Sequence, residues 1–244
     1  MIIAFTSPRK GTGQTVTATL ATLQLTLKRS LNINLVDINS VRDIEYYLND
    51  TPLARSLDEF SLLVSTKALD EDTFKRKVIK EVVPGLFMTS APEQFVITKD
   101  IAEEFTNYSG RLFDHTILDC VSGAQRNSTP FYEHADKIVM VVTQNRRLLT
   151  YVEELQEYYK NYKDKLIVVI NKYSDNIHGY GIADIKKELK DLGLDVPVLT
   201  LPDTPKVIEE SNDNNLKSFI TKSGPKNYID ALDVVLDTLL TEVE

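Results

Sequence analysis

The 244-residue chain is short of several things, and each shortage removes a class of explanation. Cysteine occurs once, at Cys120, so no internal disulfide can form and no cysteine cluster can hold zinc. Only three histidines are present, and His115, His134 and His178 lack metal-ligand spacing; they read as surface or loop residues. Basic residues are in the minority. Against 36 Asp and Glu stand 28 Lys and Arg, a formal net charge of −8, which argues against a broad cationic face for sequence-independent DNA binding. The small basic runs Lys28-Arg29 and Arg146-Arg147 read as solvated helix ends or loop charges. No apolar run is long enough to span a bilayer, and no charged N-terminal region leads into an apolar signal segment, so a cytoplasmic protein is expected. Repeats, low-complexity tracts and Pro/Gly-rich linkers are also missing. With 42% hydrophobic residues, the length suits one α/β domain over residues 1–244.

What the chain does contain is alternation. Apolar, β-rich runs fall at Ile2–Thr6, Ile33–Ile38, Leu86–Ser90, His115–Cys120, Lys137–Thr143, Leu166–Asn171 and Val196–Leu201. "KIVMVVT" and "LIVVIN" are nearly continuous hydrophobics, the pattern of parallel strands buried on both faces. Helical patterns cover Val16–Lys28, Asp43–Leu48, Asp70–Val82, Lys99–Tyr108, Leu148–Tyr162, Ile182–Leu192 and Asn227–Val243. Strands and helices in turn predict a doubly wound, mostly parallel sheet with helices on both faces. Thr51–Lys67 and Ser211–Gly224 read as loops.

The first strand runs into "SPRKGTGQT" and then a helix, the setting of a phosphate-binding loop. Against the pattern G-x-x-x-x-G-K-[ST], Gly13 and Thr15 match, Pro8 replaces the first glycine and Gln14 replaces the lysine. Gly11 and Gly13 supply the backbone freedom for a nest of N–H groups, and the helix N-terminus adds partial positive charge. Thr15 is placed to ligate Mg²⁺ or a phosphate oxygen. Gln14 donates hydrogen bonds but carries no charge, so one charge-assisted bond is lost, on the order of 1.5–3 kcal/mol. Charge developing on a γ-phosphoryl in the transition state would lose more, so binding can survive where hydrolysis does not. Asp119 ends the apolar "TILD" strand at the carboxyl edge, where a carboxylate can hold Mg²⁺ directly or through water.

With these residues the chain resembles the MinD/ParA group of deviant Walker P-loop proteins, and within it the TadZ/CpaE pilus-assembly branch. "INLVDINSVRDIEYYL", "PGLFMTSAPEQ", "FDHTILDCVSG", "HADKIVMVVTQNRRLLTYVEEL", "VVINKYSDN" and "LPDTPKVIEESNDNN" extend the resemblance over nearly the whole chain. Arg9, beside Lys10, stands where that group has a signature lysine reaching across a dimer. Asp37 and Asn39 occupy its D-x-D, in which the second aspartate orients water; Asn39 cannot act as a carboxylate base. Arg42 replaces a glycine of the pilus branch, and Cys120-Val121-Ser122 replaces prolines that commonly follow the Walker B aspartate.

The resemblance implies an ATP or ADP site with Mg²⁺. Its expected residues are Arg9, Lys10, Gly11, Thr12, Gly13, Gln14, Thr15, Val16, Asp37, Asn171, Pro202 and Asp203, with Thr15 and Asp119 at the metal and no catalytic residue assigned. Asn171 corresponds to an adenine-binding asparagine, and Pro202 and Asp203 to the far side of the base. It further implies a homodimeric, cytoplasmic scaffold of a pilus or secretion machine, with weak or absent ATPase activity and protein partners. Two other readings stand beside it: an active partitioning or division ATPase, and an interaction module that has lost nucleotide. The last helix carries Asp230, Asp233, Asp237 and Glu242 on its polar side, which suits packing on the sheet and not insertion into anionic lipid.

Overall fold

A computed structural model describes residues 1–38, 43–48, 56–92, 95–123, 129–177 and 180–241. Its strands are β1 (Ile2–Thr6), β2 (Ile33–Asp37), β3 (Lys80–Val83), β4 (Leu86–Ser90), β5 (His115–Asp119), β6 (Lys137–Thr143), β7 (Leu166–Tyr173) and β8 (Val198–Pro202). They form one sheet in the order β3-β4-β2-β5-β1-β6-β7-β8, parallel throughout except for the β3–β4 pair. The helices are α1 (Gln14–Arg29), α2 (Asp43–Tyr47), α3 (Leu57–Ser65), α4 (Glu71–Thr73), α5 (Lys99–Leu112), α6 (Thr129–His134), α7 (Arg146–Glu154), α8 (Gln156–Lys160), α9 (Ile182–Asp191), α10 (Pro205–Asn212), α11 (Leu216–Ser218) and α12 (Lys226–Leu240).

Alternate residues of the central strands feed two apolar layers, as the two-residue period of a strand requires. Ile2 and Ala4 of β1, Val36 of β2 and Leu118 of β5 face one layer, whose aromatic cluster sets Phe60 edge-on to Phe74 and Phe105 at 5.8 and 5.2 Å. Ile3, Phe5, Leu35 and Ile117 face the other, covered by Leu20 and Leu23 of α1 and Leu232, Leu236 and Leu239 of α12. Arg29, at the end of α1, ties these two helices through Asp233 at 3.0 Å and Asp237 at 2.8 Å. The acidic face of α12 is thus engaged with α1 and solvent. Among the described residues no helix is long and apolar enough to cross a membrane.

Four sequence expectations are corrected. The stretch Thr51–Lys67 contains α3, because Leu57, Phe60 and Leu63 fall on one helical face and bury against the core; residues 51–55 lie outside the described set. The helix expected over Asp70–Val82 opens with a capping box at Asp70 but stops at Val78, and β3 follows as an antiparallel edge strand. Val83 precedes Pro84, which disfavours helical backbone, and Gly85 turns the hairpin at φ +82. The loop at Ser211–Gly224 holds the end of α10, α11 and a turn of π-helix, anchored by buried Leu216, Phe219 and Ile220. His115 is not a loop residue: it begins β5, half-buried, and desolvation lowers its imidazole's affinity for a proton. Val243 and Glu242, expected to end the last helix, lie outside the described residues, as do Asn39, Arg42 and His178.

Candidate phosphate-binding site

The strand order places β1 between β5 and β6, so the chain leaving Thr6 emerges at the middle of the sheet's carboxyl edge, where open α/β sheets take ligands. Ser7–Gly13 then turns into α1. Gly11 and Gly13 take left-handed backbone at φ 87° and 85°, which a side chain would resist. Gly13 is the N-cap, with no side-chain cap, so the first-turn amides of a 16-residue helix remain available to an anion. The loop is braced from behind. The Ser7 hydroxyl donates to the Arg9 carbonyl, lies 3.2 Å from the Ser122 hydroxyl, and the Gly123 N–H donates to the Ser7 carbonyl at 2.6 Å. A hollow of about 320 Å³ opens above, lined by Lys10 through Val16 and closed by Asp43, Tyr47 and Ser122. Thr12, 1% exposed, keeps a hydroxyl there with no hydrogen-bond partner among the described residues.

Gln14 does not point outward. Its side chain is 5% exposed, and Nε2 donates to Asp119 Oδ1 at 2.7 Å and reaches the carbonyls of Cys120 at 2.5 Å and Phe5 at 3.2 Å. The amide therefore fills the seam between the ends of β1 and β5. Asp119 is fully buried, and its Oδ2 makes no hydrogen bond among the described residues. Burial pushes its carboxyl up to about 7, working against the hydrogen bonds from Gln14 and Thr15 that favour the charged form. Asp43, across the hollow, raises it further.

The structure brings Lys10, Gly11, Thr12, Gly13, Gln14, Thr15 and Val16 around one hollow, with Asp119 beneath. Arg9 stands apart: it is exposed, with its guanidinium 5.2 Å from the ring centre of Tyr151 on α7. Asp37 is buried and paired in register with Asp119, but does not line the hollow. Asn171, 7% exposed, donates its amide to the Thr12 carbonyl at 2.9 Å. Asn171 thus holds the loop as well as standing near the expected base position. Pro202 and Asp203 share with it a separate cleft of only about 20 Å³, room for about one water. Sequence reasoning did not single out Asp43, Tyr47 or Ser122 as walls of the site; the aromatic pair Tyr46-Tyr47 just after β2 was the available signal.

The donors present fit a magnesium ion carried in by phosphate. Mg²⁺ needs one or two protein oxygens and takes the rest from phosphate and water, and the uncommitted Asp119 Oδ2 beside Thr15 offers that. Among the described residues no group of three or more His, Cys, Asp or Glu could hold a metal by itself.

The whole architecture has counterparts among solved structures. A ParA family ATPase from Chlorobium tepidum superposes with a TM-score of 0.79 at 15% identity, covering 99% of both chains. The fold is that of the MinD/ParA P-loop ATPases. MinD in the MinC:MinD cell division complex of Aquifex aeolicus gives 0.74 at 17% identity, covering 100% of this chain and 98% of that one. MinD of Pyrococcus horikoshii, complexed with Mg-ADP, gives 0.72 at 15% identity over 99% of both. No protein-family model matches the sequence, and no curated protein matches it.

Proposed function

We propose that this one-domain, cytoplasmic chain is a nucleotide-responsive assembly or positioning factor whose site binds ATP or ADP with Mg²⁺ weakly and hydrolyses ATP slowly or not at all. The observation that carries this reading is the inward turn of Gln14, at the position where the phosphate loop pattern has its lysine, onto Asp119. The loop's backbone, the N-terminus of α1 and Thr15 remain to hold phosphate, with Thr15 and Asp119 toward the metal. Gln14 supplies no charge to stabilise a transferring phosphoryl group. The MinD/ParA-like fold and the sequence resemblance to TadZ/CpaE support a homodimeric scaffold that recruits protein partners in a pilus or secretion machine. MinD of Aquifex aeolicus is itself seen in a complex with MinC. The acidic net charge fits partners other than DNA or anionic lipid.

Titration calorimetry with Mg-ATP and Mg-ADP, alongside an ATPase assay and sedimentation velocity, tests this. Binding in the range of about 10 µM to 1 mM with turnover far below ~1 s⁻¹ is expected. Turnover near ~1 s⁻¹ would favour a partitioning or division ATPase instead. Complete absence of binding at millimolar nucleotide would favour an interaction module that keeps only the fold.

A further inference from the structure

The phosphate hollow is electrically lopsided. On its loop side stand the backbone of Gly11–Gly13, the first turn of α1 and Lys10. Arg9, the other cation of the loop, rests 5.2 Å from the ring centre of Tyr151 and does not line the hollow. In phosphate loops of the usual pattern the amides cradle the α- and β-phosphates, and the lysine reaches the β- and γ-phosphates. Gln14 has the lysine's position here and spends its amide on Asp119, Cys120 and Phe5. The amides for two phosphates are therefore in place, and the cation that would meet a third is missing.

The wall across from the loop is acidic. Asp43, the first residue of α2, lines the hollow half-buried and makes no ion pair among the described residues. Tyr47, one turn further along α2, lines it too. Burial first, then the charges of Asp43 and Asp119, tighten the Tyr47 hydroxyl's hold on its proton, and Asp43 also acts on Asp119. Asp43, Tyr47 and Asp119 thus share one field. With the inner phosphates on the loop amides, an outer one has only the remaining wall of Asp43, Tyr47 and Ser122 to face. There its charge meets a carboxylate in a half-enclosed space, where like charges repel more than in open water.

We propose that the hollow is a diphosphate site, in which Asp43 selects against a third phosphate and ADP is preferred to ATP. This rests on the nucleotide reading above and names its ligand more closely. Titration calorimetry of the full chain tests it. Mg-ADP is expected to bind at least about fivefold tighter than Mg-ATP, and the ratio should widen in EDTA, where no metal masks the phosphate charge. Asp43→Asn should bring the two within about twofold, chiefly by improving ATP, while Asp43→Glu keeps the charge and the preference. On the parent alone, pyrophosphate should outbind tripolyphosphate, which tests the wall without a variant and without a base. Mg-ATP binding as tightly as Mg-ADP, tripolyphosphate binding as tightly as pyrophosphate, or an unchanged ratio in Asp43→Asn would each overturn the assignment and leave the nucleotide reading standing. Binding of neither nucleotide at ~10 mM would defeat both together.

Discussion

Gln14 and Asp119 stand 105 positions apart in sequence and 2.7 Å apart in space, an amide donating to a carboxylate at the join of two neighbouring parallel strands. A lysine on the same backbone position would bring a full positive charge to this buried carboxyl and hold it ionised. The neutral amide cannot. Burial, only partly offset by the hydrogen bond from Gln14, leaves Asp119 titrating near neutrality, at about 7.

Asp119's contribution to stability is expected to fall as pH rises from about 4 to about 7. Asp119's carboxyl is raised in the fold, so over that window the native state holds a proton that the unfolded chain has released, and unfolding gains as protons become scarce. Asp119→Asn keeps an oxygen acceptor for Gln14 and removes the titration. Chemical denaturation should show the variant gaining on the parent as pH rises to about 7, by on the order of 4 kcal/mol at most, with no such gain near pH 4. Parallel curves for the two proteins across this range would contradict the role given to Asp119.

Metal dependence should carry the opposite sign. A protonated Asp119 is a poor ligand for Mg²⁺, so Mg-nucleotide affinity is expected to rise between pH 6 and 8. Nucleotide binding without Mg²⁺ should change much less over the same interval. Calorimetry in two buffers at each pH separates the metal-linked proton release from buffer ionisation.

Restoring charge should improve grip before it improves chemistry. Gln14→Lys adds one charge-assisted bond, either to phosphate or to Asp119, and Mg-ATP affinity is expected to rise about tenfold. ATP turnover should rise only a few-fold, since Asn39 still cannot serve as a base. A gain in turnover larger than the gain in affinity, measured by steady-state kinetics, would refute the weight placed on Asn39.

Gly13 cannot be enlarged without moving its neighbour. A Cβ there would lie 2.3 Å from the Asn171 amide nitrogen, and φ is +85°. Gly13→Ala should cost about 2 kcal/mol or more through strain and the clash. Gly13→Ala with Asn171→Ala should recover part of the clash but not the strain, a non-additivity that a double-mutant denaturation cycle measures.

Base preference should be slight. The cleft beside Asn171, Pro202 and Asp203 holds about 20 Å³, so any base must open it, and neither purine finds a preformed edge. Mg-ATP and Mg-GTP affinities are expected to agree within about threefold; a preference of about tenfold, or 1.4 kcal/mol, would show a base site that forms on binding.

Much of the sheet was legible because β6 and β7 are unbroken apolar runs with few alternative conformations. The edge was harder to read. Lys80–Val83 carries charge and half-buried positions, and only Pro84 after Val83 hinted that the preceding helix had to stop. In the site, the glycines and Thr15 declared the loop, and the change at Gln14 declared the missing charge. The direction of Gln14 was not legible, because it depends on acceptors from Phe5, Asp119 and Cys120 that only strand pairing brings together. Likewise the bond from Asn171 to Thr12 spans 159 residues, and an asparagine at a strand end says nothing of which backbone it will meet.

The placement of β1 between β5 and β6 has a kinetic consequence. Neither neighbour of the first strand is synthesised until more than a hundred residues have followed it, since β5 begins at His115 and β6 at Lys137. A growing chain holds the whole phosphate loop early, yet lacks the strand that supplies Asp119 and the strand that supplies Asn171. Loop closure over such spans is slow, and contacts of this kind consolidate late. During that interval β1 presents two unpaired edges, and its five apolar or β-branched residues are open to pairing with other chains. The strand that leads into the candidate site is therefore open to misassembly while the protein is being made.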